Sequence, residues 1–150
     1  RVANEIDALT LMLFFGASKQ PNGGGLHISG AGDVTISGGT ASNNTAASEG
    51  GGLWNGGGVM TITNGTVINN NTAQGAAADE GGGGIFNNGG TLTIDGSAGL
   101  ITISNNTATG TSGSGGGIFS TDGNVTIAAD PDAEESTKDK PTGTVQQTSV

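Results

Sequence analysis

Apolar and polar residues alternate along this chain in short runs rather than recurring at helical spacing. Val34-Thr35-Ile36, Met60-Thr61-Ile62, Leu92-Thr93-Ile94 and Val125-Thr126-Ile127 are four copies of one apolar–threonine–apolar pattern. A period of two turns one face of an extended strand inward and the other outward. Gly and Asn-Gly punctuate these runs every few residues, which ends strands and denies helices a useful length. Ahead of each run stands a second phrase of three glycines, an aliphatic residue and a ring: Gly23–His27, Gly50–Trp54, Gly82–Phe86 and Gly115–Phe119. After the first three runs comes Asn-Asn-Thr-Ala, at Asn43–Ala46, Asn70–Ala73 and Asn105–Ala108. The anchors Leu26, Leu53, Ile85 and Ile118 are 27, 32 and 33 residues apart. Repetition at such a period marks units that cannot bury an apolar face alone and must stack on their neighbours.

Each repeat predicts three short strands, exemplified by Gly-Ile-Phe-Asn, Thr-Leu-Thr-Ile and Ile-Thr-Ile-Ser-Asn-Asn in the third copy. Three strands per turn, alternating inward and outward, make an all-β fold of the parallel β-helix or β-solenoid kind. Leu26, Leu53, Ile85 and Ile118 then form one interior column, and Ile36, Ile62, Ile94 and Ile127 another. About four rungs at the ordinary strand spacing give a rod about 20 Å long. The chain divides into an N-terminal segment, 1–22, that caps the rod or is exchanged with a neighbour, a repeat region, 23–129, and a polar C-terminal arm, 130–150.

Composition agrees with a narrow core. Only 32% of the 150 residues are hydrophobic while 31 are glycine, a mix that starves a globular interior but suffices for a thin one. The net charge is -9, and the only cations are Arg1, Lys19, Lys138 and Lys140. Such a surface repels phosphate backbones and anionic lipid heads, so neither nucleic acid nor a membrane surface is an expected partner. Absence of cysteine excludes disulfides and thiolate metal sites. Ala8–Phe15 is too short to span a bilayer and follows the acids Glu5 and Asp7, so it reads neither as an inserted segment nor as a signal peptide. A chain opening on Arg1 suggests a processed product or a fragment.

The Gly-Gly-Gly-[Leu/Ile] units followed by Asn-Asn-Thr-Ala resemble the repeats of the polymorphic outer-membrane proteins of bacterial surfaces. Those repeats carry a Gly-Gly-Ala-Ile motif and a Phe-x-x-Asn motif. Here glycine replaces the alanine; Asn44, Asn71 and Asn106 match the asparagine, with Ala41, Ile68 and Ile103 at the phenylalanine position. The resemblance covers 23–127. It implies a right-handed parallel β-helix, extracellular or on a cell surface, with adhesive or structural duty.

Candidate chemistry lies in columns. Asn43, Asn64, Asn70, Asn105 and Asn124 sit in Asn-x-Ser/Thr acceptor patterns. The pairs Asn43–Asn44, Asn70–Asn71 and Asn105–Asn106 also suit an amide ladder between rungs. Ladder and glycosylation are compatible if one asparagine of each pair points inward. His27, Trp54, Phe86 and Phe119 follow an inward aliphatic residue, so alternation puts them outside as an apolar strip fit for an interaction, glycans included. The alternative register buries the rings and moves the aliphatics to a corner. Thr35, Thr61, Thr93 and Thr126 form an outward row of the kind an ice-binding solenoid would use, but paired rows occur only at Thr61/Thr63 and Thr91/Thr93.

A carbohydrate-processing β-helix enzyme would need clustered carboxylates with Lys or Arg. Asp33, Glu49, Asp79, Glu80, Asp95 and Asp122 are instead scattered over the repeats, and no catalytic residue is assigned. Glu49, Asp79 and Glu80 are hard-oxygen ligands ahead of glycine runs, yet Ser112 and Ser114 hold the next equivalent positions, so no metal or other cofactor is expected. The run carrying Leu9, Leu11, Met12, Leu13, Phe14 and Phe15 is too apolar for water and reads as a capping or assembly strand. The expectation is a non-enzymatic, self-associating extracellular β-helix, forming a homo-oligomer or a filament.

Overall fold

The computed structural model describes residues 5–9, 19–128 and 145–147, with side chains over 22–128. The described chain is all-β apart from one 3-10 turn at Gly96–Ala98. Its strands are Glu5–Leu9 (β1), Lys19–Asn22 (β2), Leu26–Ile28 (β3), Asp33–Ser37 (β4), Thr40–Ser42 (β5), Thr45–Glu49 (β6), Leu53–Asn55 (β7) and Val59–Thr63 (β8). They continue with Val67–Asn69 (β9), Thr72–Ala73 (β10), Ile85–Asp95 (β11), Thr102–Ser104 (β12), Thr107–Ala108 (β13), Ile118–Ala128 (β14) and Val145–Gln147 (β15). Every pairing between them is parallel.

Three sheets result. The first is built from β1, β3, β4, β7, β8, β11, β14 and β15; the second from β5, β9 and β12; the third from β2, β6, β10 and β13. The chain visits these sheets in that order once per repeat, and each strand pairs with its equivalent in the next repeat. The sequence division of the repeat needs one correction. The ring segment and the apolar–threonine–apolar run are not separate faces: Ile85–Asp95 and Ile118–Ala128 each carry both in one 11-residue strand. The irregularity between them falls at glycine, with Gly89 at φ +87°. The third face is the short Thr-Ala strand after each asparagine pair, which the sequence reading joined to the strand before it.

Register aligns like with like. Leu26, Leu53, Ile85 and Ile118 pair in succession, as do Val34, Met60, Leu92 and Val125, and Ile36, Ile62, Ile94 and Ile127. Ala41, Ile68 and Ile103 stack in the second sheet. These columns form one aliphatic core, in which Leu53, Met60, Ile62, Ile68, Ile85 and Leu92 are buried outright. Each such side chain contributes about 1.5–3 kcal/mol by leaving water. At the far end of its column Ile127 is 40% exposed.

Corners are made by residues that tolerate a left-handed backbone. Asn43, Asn70 and Asn105, at φ +58°, +54° and +53°, turn the chain from the second sheet to the third. Asparagine accepts that conformation more readily than other non-glycine residues. Unequal spacing arises outside the strands, in the Gln74–Glu80 loop and around the Gly96–Ala98 turn.

Both terminal segments lend strands to the repeats. Lys19–Asn22, within the N-terminal segment, pairs with β6, and Glu5–Leu9 pairs with β4. Within the polar arm, Val145–Gln147 lies alongside Ile118–Ser120. Of the apolar run, Leu9 ends β1, while Leu11, Met12, Leu13, Phe14 and Phe15 lie outside the described residues.

Candidate functional site

The corner where the third sheet meets the first gathers the side chains that distinguish this sequence. Its geometry starts with the three glycines. In the second repeat Gly50 takes φ +63° to turn the chain, and the same value recurs within 2° at Gly23, Gly82 and Gly115. A Cβ on Gly51 would collide with the backbone of Gly83 and Thr72, and one on Gly52 would lie 2.7 Å from the Gly84 carbonyl oxygen and 2.9 Å from Asn71 Nδ2. Each glycine therefore answers a different demand: a left-handed turn, a backbone approach and room for an asparagine. The last explains why glycine stands here in place of the alanine of the resembling motif.

His27, Trp54, Phe86 and Phe119 pair in register as one column. Alternation does carry them to the opposite side of the strand from the aliphatic core, since Trp54, Phe86 and Phe119 form a separate buried cluster. The expected exposed strip is nevertheless corrected. Trp54 is 8% exposed, Phe86 and Phe119 1% each, and only His27 is open to solvent. The glycine turn before each ring runs close to the ring's Cβ: an added Cβ would lie 2.8 Å from His27 Cβ at Gly23 and 3.1 Å from Trp54 Cβ at Gly50. His27 nevertheless stays exposed; Trp54 and Phe86 differ from it in having a ring stacked on both sides. The alternative register fails as well, because the aliphatics stay in the core and are not displaced to a corner.

The rings stack along the column. His27 and Trp54 lie 4.2 Å apart between centroids and 5° from parallel, Trp54 and Phe86 6.3 Å and 3°, and Phe86 and Phe119 5.5 Å and 51°. The Trp54 indole Nε1 donates to Glu49 Oε2 at 2.8 Å. Desolvation raises the Glu49 carboxyl above the usual carboxylate range; the indole hydrogen bond opposes this, while the negative charges of Glu80 and Asp79 add to it. His27 Nδ1 lies 3.2 Å from the Asn22 carbonyl oxygen.

Beside the rings runs an amide ladder formed by the second asparagine of each pair. Asn71 Oδ1 accepts from both the backbone N–H and Nδ2 of Asn44, each at 3.0 Å. Asn106 Oδ1 does the same for Asn71, again at 3.0 Å. Asn71 Nδ2 and Asn106 Nδ2 also donate to the carbonyls of Ala41 and Ile68, both at 2.9 Å. The first asparagines, Asn43, Asn70 and Asn105, point outward and are exposed. One member of each pair thus joins the ladder and the other lies at the surface, where Asn43 Nδ2 donates to Ser42 Oγ at 3.3 Å.

A second polar ladder escaped the sequence reading. Asn55 Nδ2 donates to Asn87 Oδ1 at 2.7 Å, and Asn87 Nδ2 to Ser120 Oγ at 3.1 Å. All three residues are fully buried. The signal was present as the polar residue that follows the ring in three copies, but the ring drew the attention. Ile28 occupies the same register position in the first repeat, and Asn55 Oδ1 is buried with no hydrogen-bond partner among the described residues.

The threonines Thr35, Thr61, Thr93 and Thr126 pair in register. Their flanking rows are mixed, Asp33–Val59–Thr91–Asn124 on one side and Ser37–Thr63–Asp95–Ala128 on the other. Glu49 lies within electrostatic reach of Glu80 and Asp79, but among the described residues no group of three or more His, Asp or Glu side chains is placed to share a metal ion. No described helix is long and apolar enough to cross a membrane. Neither protein-family models, nor curated proteins, nor solved structures yield a match to this chain.

Proposed function

We propose that this chain is a right-handed parallel β-helix of the polymorphic outer-membrane protein type, working outside the cell as a structural or adhesive element that associates with itself. The observation that carries the reading is where the distinctive side chains go. Rings, asparagines and glycines are used in contacts between successive repeats, so what the sequence repeats is the means of stacking. Parallel strands joined by crossovers favour the right hand. An acidic surface with exposed asparagines in acceptor patterns suits an extracellular setting and leaves nucleic acid and anionic membranes as poor partners. Hydrolysis of a glycan would require a carboxylate pair and a cation around a cleft, and the repeat region, 23–129, holds no Lys or Arg.

Two measurements test this. Sedimentation velocity over a wide concentration range, with electron microscopy of the same samples, is expected to show elongated particles that lengthen as concentration rises. A protein that stays monomeric at the highest concentration would refute the self-association. Incubation with pectins and other uronic-acid polymers is expected to release no new reducing or unsaturated ends, and turnover abolished by replacing one of the acids would refute the non-enzymatic role.

A further inference from the structure

Four asparagines in this chain are followed directly by glycine: Asn22, Asn55, Asn64 and Asn88. That dipeptide carries its own chemistry. Glycine has no side chain to hinder its amide nitrogen, which can close on the Cγ of the preceding asparagine. Closure needs an N–H that is not engaged elsewhere and a carboxamide able to turn toward it. The fold withholds the first at two of the sites. The Gly23 N–H donates to the Glu49 carbonyl at 2.9 Å, and the Gly56 N–H to the Ile28 carbonyl at 2.8 Å. Asn55 is also fully buried, its Nδ2 held by Asn87 Oδ1 at 2.7 Å and by the Gly58 carbonyl at 3.2 Å. Asn88 is exposed, but its Oδ1 accepts from Thr121 Oγ1 at 3.2 Å and its backbone lies within β11.

Asn64–Gly65 meets both conditions. These are the central residues of the turn from β8 toward β9, both exposed, at φ +55° and +72°. Positive φ at both centres is the conformation for which Asn-Gly is selected in tight turns. The flanks are fixed, since Thr66 Oγ1 donates to the Thr63 carbonyl at 2.7 Å and the Val67 N–H to the Gly39 carbonyl at 2.9 Å. Between them the Gly65 N–H has no hydrogen-bond partner among the described residues. The space beside it is open: a Cβ on Gly65 would come no nearer than 3.9 Å to another atom, the Leu100 carbonyl oxygen. Asn64 Nδ2 reaches Ser37 Oγ only at 3.4 Å, a weak tether. We propose that Asn64–Gly65 is a self-modification site, where the chain turns an amide into an acid with water as the only co-reactant. The Gly65 nitrogen bonds to Asn64 Cγ, the Cγ–Nδ2 bond breaks, and Nδ2 leaves as ammonia, carrying the proton that Gly65 gives up. Holding nucleophile and electrophile side by side in one fixed turn supplies the proximity. Water then opens the cyclic imide at either carbonyl, which yields aspartate or isoaspartate. Isoaspartate adds a methylene to the main chain, and it does so in a surface turn outside the sheets. Each conversion adds a negative charge to a chain already at -9. The proposal stands apart from the self-association reading.

The test incubates the folded full chain in warm, mildly alkaline buffer and maps it over time by peptide mass spectrometry, so that each Asn-Gly site reports separately. Asn64 is expected to convert about ten times faster than Asn22 and Asn55, which react only when the structure opens locally. Isoaspartate is expected among the products, because direct hydrolysis of the side-chain amide gives aspartate alone. In denaturing urea, with the turn and its neighbours lost, the four sites are expected to convert at rates within about threefold of one another. Asn64→Ala, a change at an exposed position, is expected to remove the fast phase of ammonia release and leave the slow one. A folded-state rate at Asn64 no greater than at Asn55, a faster site at Asn88, or a product free of isoaspartate overturns the proposal. So does a fast phase that survives Asn64→Ala, or the same ranking of sites in urea, which would trace the rates to local sequence and not to the fold.

Discussion

Replacing Asn71 by alanine removes the central member of the first amide ladder and tests whether polar stacking holds the repeats together. Asn71 is fully buried, and its Oδ1 is the acceptor for two donors of Asn44, the backbone N–H and Nδ2. Alanine leaves both donors buried and unpaired. A stranded buried group costs about 1–3 kcal/mol, so the pair predicts a loss of about 2–6 kcal/mol. Asn106 Oδ1 keeps the backbone N–H of residue 71, so the damage falls mainly on the first repeat's side. Against a typical domain stability of about 5–15 kcal/mol, the variant is expected to be severely weakened or unfolded.

The control is its neighbour. Asn70 is exposed, with its backbone at φ +54°, a conformation glycine takes without strain. Asn70→Gly is expected to change stability by no more than about 0.5 kcal/mol. Urea unfolding followed through Trp54, the sole tryptophan, measures both. The reasoning is refuted if Asn71→Ala loses under about 1 kcal/mol, or if the two variants unfold alike, because interior and exterior asparagines would then be energetically equivalent.

Three further outcomes follow from the same geometry. Gly52→Ala, whose Cβ would press on Asn71 Nδ2 and the Gly84 carbonyl, is expected to cost about 1–3 kcal/mol, whereas Gly57→Ala, with its nearest neighbour at 3.6 Å, should be neutral or stabilising by up to about 1 kcal/mol; similar denaturation midpoints would contradict this. Because burial raises the Glu49 carboxyl in the folded state above its ordinary value of 4.5, the folded protein holds that proton more tightly than the unfolded chain. Glu49's contribution therefore favours folding at acid pH and is lost as pH rises from about 4.5 through the folded value; Trp54 emission should titrate with a midpoint above 4.5, a transition that Glu49→Gln abolishes, and a midpoint at or below 4.5 would count against the buried contact. Ile28→Asn places an amide against the unpartnered Asn55 Oδ1 and should be about 1–2 kcal/mol more stable than Ile28→Ala, a difference that thermal unfolding would resolve and whose absence would deny the second ladder its extension.

The aliphatic columns were legible because alternation and repetition state the same thing twice: Leu53 and Ile62 occur at matching places in units that stack, so their inward direction follows from period alone. The second asparagine of each pair was legible for a related reason, since a fixed place beside a turn is where an amide can bond the next repeat. What could not be read was how the repeat folds over its own outer side. The sequence places Trp54 on the face opposite Leu53 but does not show that this face is covered: Trp54 and Phe86 are buried as inner members of a stacked column, while His27 at its end is exposed under the same glycine turn. A strand pattern tells inside from outside only for a single sheet with one covered face. Where loops cover the second face, period two still separates two environments, yet both can be dry.

That distinction bears on function. Had the rings formed an open strip, a glycan or another protein laid along it would have been the natural partner. With Phe86 and Phe119 buried and Trp54 nearly so, the exposed large apolar side chains among the described residues are Val59, Leu100 and Ile127, each in a different part of the fold. Burial of the rings thus removes the continuous apolar strip on which such a partner would have lain. The repeat packs each unit against the next inside one molecule, and its rings, asparagines and glycines are all used in that packing.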